Sequence, residues 1–228
     1  MTLDVRLRAA ADMVPRGARL ADIGSDHAYL PIALCLEDKI DCALASDIND
    51  GPVAAAVANI KKNNLEGRIE AIRADGLAGA RSFAPDVITV LGMGGELIVE
   101  ILSAVDWVRD EKITLILQPM THPEILAKYL AAEGFEVLDE AMVCDNGRDD
   151  RIYRIVKARF CGVKREIDDL DAMFGKINLD RRDSATCALV ERQIRVLSAR
   201  IRGRTSAGQD CEAEKKLVTD MNKYLERK

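Results

Sequence analysis

Apolar positions fall along the chain in blocks of two kinds. Leu3, Val5, Leu7, Ala10, Ala11 and Val14 recur at helical spacing with Arg6 and Arg8 on the polar side, and Pro15-Arg16-Gly17 ends that helix. After it come short apolar runs with strand character: Leu20–Gly24, Cys42–Ile48, Arg68–Ala74, Asp86–Leu91 and Ile113–Gln118. Helix-spaced segments separate them, at Tyr29–Asp38, Gly51–Asn63, Glu96–Val105 and Pro123–Glu133. Pro52 suits the first turn of its helix, and Gly134 stops the last one. Two further strands, Phe135–Val143 and Arg151–Ala158, flank Asp145-Asn146-Gly147, and Asn-Gly is a strong hairpin signal. This reads as five βα repeats and a closing hairpin. It predicts a mostly parallel sheet of seven strands with helices on both faces and an antiparallel last hairpin. A dinucleotide-binding fold would instead end in one more crossover helix and a parallel strand.

Beyond Phe160 the pattern changes. Cys187, Val190, Ile194, Leu197 and Ile201 form a helical seam, Gly203–Gly208 breaks it, and Leu217, Met221 and Leu225 resume it. The chain therefore divides into a domain over residues 1–161 and a helical hairpin over 162–228.

Composition changes the picture in three ways. The 228 residues are 48% hydrophobic but only 4% aromatic, so aliphatic side chains must build the core. Six cysteines include no C-x-x-C pair, which points to reduced thiols in a cytoplasmic protein rather than a zinc site or a disulfide framework. The absence of a signal peptide or long apolar run argues against secretion and membrane spanning. The formal charge of −5 is unevenly spread. Lys176–Arg204 holds eight basic and three acidic residues, a net of +5 against −10 for the rest. A single arginine on such a face is usually just solvated, but the cluster marks a candidate nucleic-acid patch at Arg192, Arg195 and Arg202.

The candidate chemistry gathers at the carboxyl ends of the strands, where this topology forms its crevice. The first run breaks at Gly24, which lets backbone approach a ligand, but G-x-G-x-x-G is absent: Asp26 and Tyr29 stand at its second and third glycine positions. An acidic turn repels a pyrophosphate and suits a nucleoside carrying a cation, of which S-adenosylmethionine is the common example. Asp22, inside an apolar run, needs a partner and is placed to hold the methionine ammonium of such a ligand. Asp47 ends strand two where a carboxylate can accept from both ribose hydroxyls. Asp75-Gly76 ends strand three, where the Asp can accept from the adenine amine or the pair can form a simple turn. Gly92-Met93-Gly94-Gly95 ends strand four; three glycines can be a loop only, but their place argues for close backbone approach to the ligand or the target. Ser25 and Ile48 complete the expected cofactor set. His27, in the same turn, either contacts the ligand or holds the scaffold. Asp26 and Tyr29 are the catalytic candidates; Tyr29 can also pack under its helix. Arg6, Gln118 and Pro119 join the three arginines as substrate-binding candidates. No metal site is expected.

ADIGSDHAYLP, SDINDGP, RADGL, LGMGG and LILQP, in this order and spacing, resemble the bacterial tRNA (adenine-N1)-methyltransferase family that modifies the adenosine at tRNA position 22. The resemblance covers Leu3 to Ala158. It implies a class I methyltransferase sheet, S-adenosylmethionine as cofactor, tRNA as substrate and a helical hairpin after the catalytic domain. Where family members often carry Gln-Pro-Asn, this chain has Gln118-Pro119-Met120. Adenine N1 has an in-plane lone pair and needs no deprotonation, so catalysis is mainly positioning, and a carboxylate such as Asp26 would stabilise the cationic product ring. Methylation of an exocyclic amine would call for Asn/Asp-Pro-Pro-Tyr/Phe after strand four, which is absent. The competing readings are a methyltransferase acting on a small molecule or protein, its hairpin a dimer element, and a non-catalytic cofactor- or RNA-binding module. The sequence is compatible with a monomer and with a homodimer.

Overall fold

The computed structural model of the protein describes residues 2–145, 147 and 151–227. It divides into two compact units, residues 1–166 and 167–228. The division lies beyond residue 161 because backbone bonds tie the intervening segment to the first unit. The amides of Cys161 and Gly162 donate to Gly134 O, and that of Arg165 donates to Ala131 O at 2.8 Å.

The first unit is built on seven strands: β1 (Ala18–Ile23), β2 (Ile40–Asp47), β3 (Ile69–Arg73), β4 (Val87–Gly94), β5 (Thr114–Thr121), β6 (Phe135–Asp145) and β7 (Arg151–Phe160). Their order is β3-β2-β1-β4-β5-β7-β6. Pairing is parallel from β3 through β5, while β7 runs antiparallel to both β5 and β6. The helices are α1 (Val5–Met13), α2 (Tyr29–Leu36), α3 (Asp50–Lys62), α4 (Gly95–Ser103) and α5 (Pro123–Ala132). Asp4 caps α1, its side chain accepting from the Leu7 amide at 2.7 Å. Buried aliphatic residues form two clusters, one containing Leu20, Ile32, Leu34 and Ile116, the other Ile88, Leu115, Leu117 and Ile98.

Three local expectations need correction. The third repeat has no helix, only a 3-10 turn at Arg81–Phe83 before β4. Strand β4 does not stop at Leu91 but runs through Gly92 and Met93 to Gly94, with irregular register against β5. Strand β5 continues past Pro119 to Thr121. It tolerates the proline because β7 pairs with β5 only as far as Leu117, so one side of the strand is free beyond that point. The Asp145-Asn146-Gly147 turn lies partly outside the described residues; the Gly147 amide donates to Asp145 Oδ1 at 3.1 Å. In β6 the register shifts between Val137 and Asp139, so Leu138 is an extra residue that bends this outermost strand. The hairpin also buries an ion pair: Arg154 Nε and Nη2 donate to Glu140 Oε1 at 3.0 and 2.5 Å.

The second unit holds four helices among the described residues rather than two: α6 (Asp169–Phe174), α7 (Lys176–Arg181), α8 (Ser184–Ser206) and α9 (Glu212–Glu226). Helix α8 runs through Gly203, and the break comes at Ala207-Gly208, where Gly208 has φ +68°. Val190, Leu197 and Met221 of the expected seam are buried. Tyr224 is buried as well; its hydroxyl donates to Leu179 O at 3.1 Å, and Arg182 lies over its ring. None of the described helices is long and apolar enough to cross a membrane.

Candidate active site

Parallel pairing of β1, β2 and β4 brings their carboxyl ends together, and most of the expected residues follow them. Asp22 lies opposite Thr89, whose hydroxyl donates to Asp22 Oδ1 at 2.6 Å. The Asp22 side chain is buried, and burial pushes its carboxyl above the usual range. The nearby Ser25 and Thr89 hydroxyls and the Arg6 charge partly counter that. Of the two hydroxyls, only Thr89 has hydrogen-bond geometry; Ser25 Oγ is buried without a partner, and so is Ser46 Oγ.

The turn after β1 is held from below, since the amides of Gly24 and Ser25 both donate to Ser46 O at 2.8 Å. Gly24 has φ +73°, and a Cβ there would lie 2.0 Å from Met93 Cε. The expectation for Met93 concerned backbone approach; its flexible thioether also covers the Gly24 turn. Beyond the turn, Asp26 is exposed, with Oδ2 at 3.3 Å from His27 Nε2. The His27 and Tyr29 rings stack at 5.0 Å between centroids, and both side chains reach the surface. Asn59 Nδ2 donates to His27 O at 3.1 Å, fixing the turn to α3.

At the end of β2, Asp47 Oδ1 accepts from the Asn49 amide at 2.9 Å and from Asn49 Nδ2 at 3.3 Å. Among the described residues Oδ2 has no partner. Ile48 beside it is half exposed, at 52%. Asp75 is exposed, and Gly76, with φ +50°, faces Ile101 of α4.

The ends of β4 and β5 meet the first helix. Gln118 is fully buried; its Oε1 accepts from the Gly92 amide at 3.0 Å and from Arg6 Nη1 at 3.1 Å. Its Nε2 donates to Pro119 O at 2.9 Å. Gly92 has φ +80°, and a Cβ there would sit 3.3 Å from Arg6 Nη1. Arg6, Gln118, Pro119 and Gly92 are thus adjacent. Arg192, Arg195 and Arg202 belong to the second unit, where they are exposed along α8.

Sequence reasoning missed Thr89, Ser46 and Asn49. The first two carried a signal, because each is a polar residue inside an apolar strand run and each lies buried at the crevice. Asn49 carried none, since a polar residue after a strand is ordinary.

The family described as "Methyltransferase domain" matches residues 3–156. Over 179 residues the chain is 36% identical to the tRNA (adenine(22)-N(1))-methyltransferase of Bacillus subtilis (strain 168), spanning 78% of this chain and 71% of that protein. The crystal structure of the B. subtilis M1A22 tRNA methyltransferase TrmK matches with a TM-score of 0.80 at 29% identity, over 99% of this chain and 96% of that one. M. capricolum TrmK, solved with the cofactor product S-adenosyl-homocysteine, matches with a TM-score of 0.77 at 25% identity, over 98% and 96%. With a methyltransferase sheet, carboxylates at two neighbouring strand ends and this degree of identity, the chain belongs to the tRNA (adenine(22)-N(1))-methyltransferase family.

Proposed function

We propose that the chain transfers a methyl group from S-adenosylmethionine to N1 of an adenosine in tRNA, at position 22 as in the name of its B. subtilis relative. The observation that carries this reading is the placement of Asp22 and Asp47 on paired strands either side of the Gly24 turn. The residues present fit the cofactor. The crevice offers a buried carboxylate, a second carboxylate with a free oxygen, two buried hydroxyls without partners and a turn without Cβ.

When bound, S-adenosylmethionine supplies an electrophilic methyl group on a sulfonium. Asp22 would hold its ammonium, and the Asp47 carboxylate would accept from the ribose hydroxyls. Ile48 gives the adenine an apolar face, and Asp75 accepts from its amine. Ser25, His27 and Gly76 belong to the same turns, and the β4 end at Gly92, Met93 and Gly94 would lie beside the reacting end. The target base must leave its stack to reach this crevice. The exposed Asp26, His27 and Tyr29 receive it, the Asp26 carboxylate offsetting the charge that N1 gains. Pro119, beside the β4 end, walls the pocket. Arg192, Arg195 and Arg202 contact tRNA phosphates, which set affinity and register rather than base choice.

Labelled S-adenosylmethionine and tRNA lacking the modification test the proposal. Label should enter tRNA as N1-methyladenosine, with a reverse-transcription stop at position 22, because the methyl blocks base pairing. Label at an exocyclic amine, or none in tRNA while a small molecule or protein is methylated, would overturn it.

A further inference from the structure

At the carboxyl end of the first unit's sheet, long apolar side chains reach water from four different elements. Val5 begins α1, Tyr29 begins α2, Leu97 lies in the first turn of α4 and Met120 lies near the end of β5. All four are exposed, Met120 by 43%. Helix α1 joins this end through the bond from Arg6 to Gln118. Single exposed apolar residues are ordinary, but several around one crevice mark a surface that an apolar group covers.

The Met120 side chain is held in place. Gln118, two positions earlier and so on the same strand face, accepts with Oε1 from the Gly92 amide at 3.0 Å and from Arg6 Nη1 at 3.1 Å. Its Nε2 is thereby turned to the Pro119 carbonyl at 2.9 Å and to Met120 Sδ at 3.4 Å. A thioether on three rotatable bonds normally moves freely, and a donor on its sulfur narrows that choice before a ligand arrives. The strand is open beside it. Strand β7 pairs with β5 only as far as Leu117. On the other side Met120 falls between the pairs Met93–Pro119 and Gly94–Thr121, and Gly92 and Gly94 bring no side chain to that floor.

Strand β4 lies between β1 and β5, which sets those two about 10 Å apart, twice the spacing of neighbouring strands. The stacked rings of His27 and Tyr29 follow β1, and Met120 ends β5. A gap of that width accommodates one planar ring with a side chain at each face. A purine drawn out of an RNA stack has lost the neighbours of both its faces, and a polarisable sulfur packs well on an aromatic ring.

We infer that Met120 contacts the target purine, as the thioether wall against which the extruded base rests, and that Gln118 positions its sulfur. This rests on the methyl-transfer reading above. It adds to the substrate set a residue at which the chain departs from Gln-Pro-Asn. A thioether carries no hydrogen-bond donor, so it holds the base by its face and leaves the N1 lone pair free for the methyl group.

The test uses the full chain and tRNA with 2-aminopurine at position 22, whose fluorescence rises when the base leaves its stack. Met120→Ala should cut that rise and lower kcat on unmodified tRNA about 10-fold, while affinities for S-adenosylhomocysteine and tRNA change by less than about twofold. Met120→Leu, which keeps the apolar volume, should recover kcat to within about threefold of the unsubstituted protein. Fluorescence and kcat unchanged in Met120→Ala would overturn the assignment. An equal loss of S-adenosylhomocysteine affinity in that variant would place Met120 in the cofactor site or the scaffold and overturn it as well. Absence of methyl transfer to tRNA by the unsubstituted protein would overturn the functional reading itself, a result into which no variant enters.

Discussion

Asp22 shows at the scale of one residue how function and stability pull apart. A carboxyl whose folded value is raised binds its proton more tightly folded than unfolded. Stability then falls as pH rises from the ordinary carboxylate value to the raised one, and it stays lower above that window. Ionising this carboxyl therefore comes at a cost to the fold, whatever the charge does for a ligand. Asp22→Asn keeps an acceptor for Thr89 and removes the charge. Its Tm at pH 7 should exceed that of the unsubstituted protein, the gain shrinking as the pH falls into the carboxylate range, and its affinity for S-adenosylhomocysteine should drop. A Tm below that of the unsubstituted protein at pH 7 would show that the carboxylate supports the fold. Asp22, Gly24 and Asp47 were legible in the sequence because each punctuates a local apolar run. Gln118 was legible as a residue but not as a hub. Its partners Arg6 and Gly92 come from a distant helix and a neighbouring strand, and no local pattern encodes that meeting.

At the scale of elements, Gly92-Met93-Gly94-Gly95 is the instructive stretch. Three glycines after an apolar run read as a loop, yet β4 runs through the first two and α4 begins at the third. The need for glycine at position 95 is steric: a Cβ there would lie 2.2 Å from His122 O, a backbone atom at the start of α5. Neither helix start can give way cheaply, because both follow directly from paired strands. Gly95→Ala should therefore destabilise the protein by about 3 kcal/mol in urea denaturation, at the upper end of overpacking costs. A loss under about 1 kcal/mol would mean that the α4 and α5 starts shift freely. The strands and most helices were legible from periodicity and their Gly and Pro boundaries. The 3-10 crossover before β4 was not, since Ala78–Ala84 has neither period, and the continuation of β5 past Pro119 depends on where its neighbour stops pairing.

Over the whole chain, charge is partitioned between the two units. The basic excess sits largely on α8, where Arg192, Arg195, Arg200 and Arg202 are exposed and lack ion-pair partners among the described residues; Arg204, which is half-buried, pairs with Glu214. Arg195 and Arg202 are seven positions apart and so share a face two turns distant. Reversing both to Glu should weaken tRNA binding and reduce the slope of log affinity against log salt by about one to two, at ~0.9 for each phosphate left without its arginine. S-adenosylhomocysteine affinity should not change. An unaltered salt slope would remove α8 from the RNA-binding surface. The margins of the sheet have a consequence of their own. At one border, β3 is five residues long and exposes Glu70 and Arg73. At the other, the extra Leu138 throws β6 out of step just where a newcomer would have to match it. A second copy meeting either border finds charge or a broken template, so growth by strand addition, the first stage of fibrous aggregation, is disfavoured at both ends.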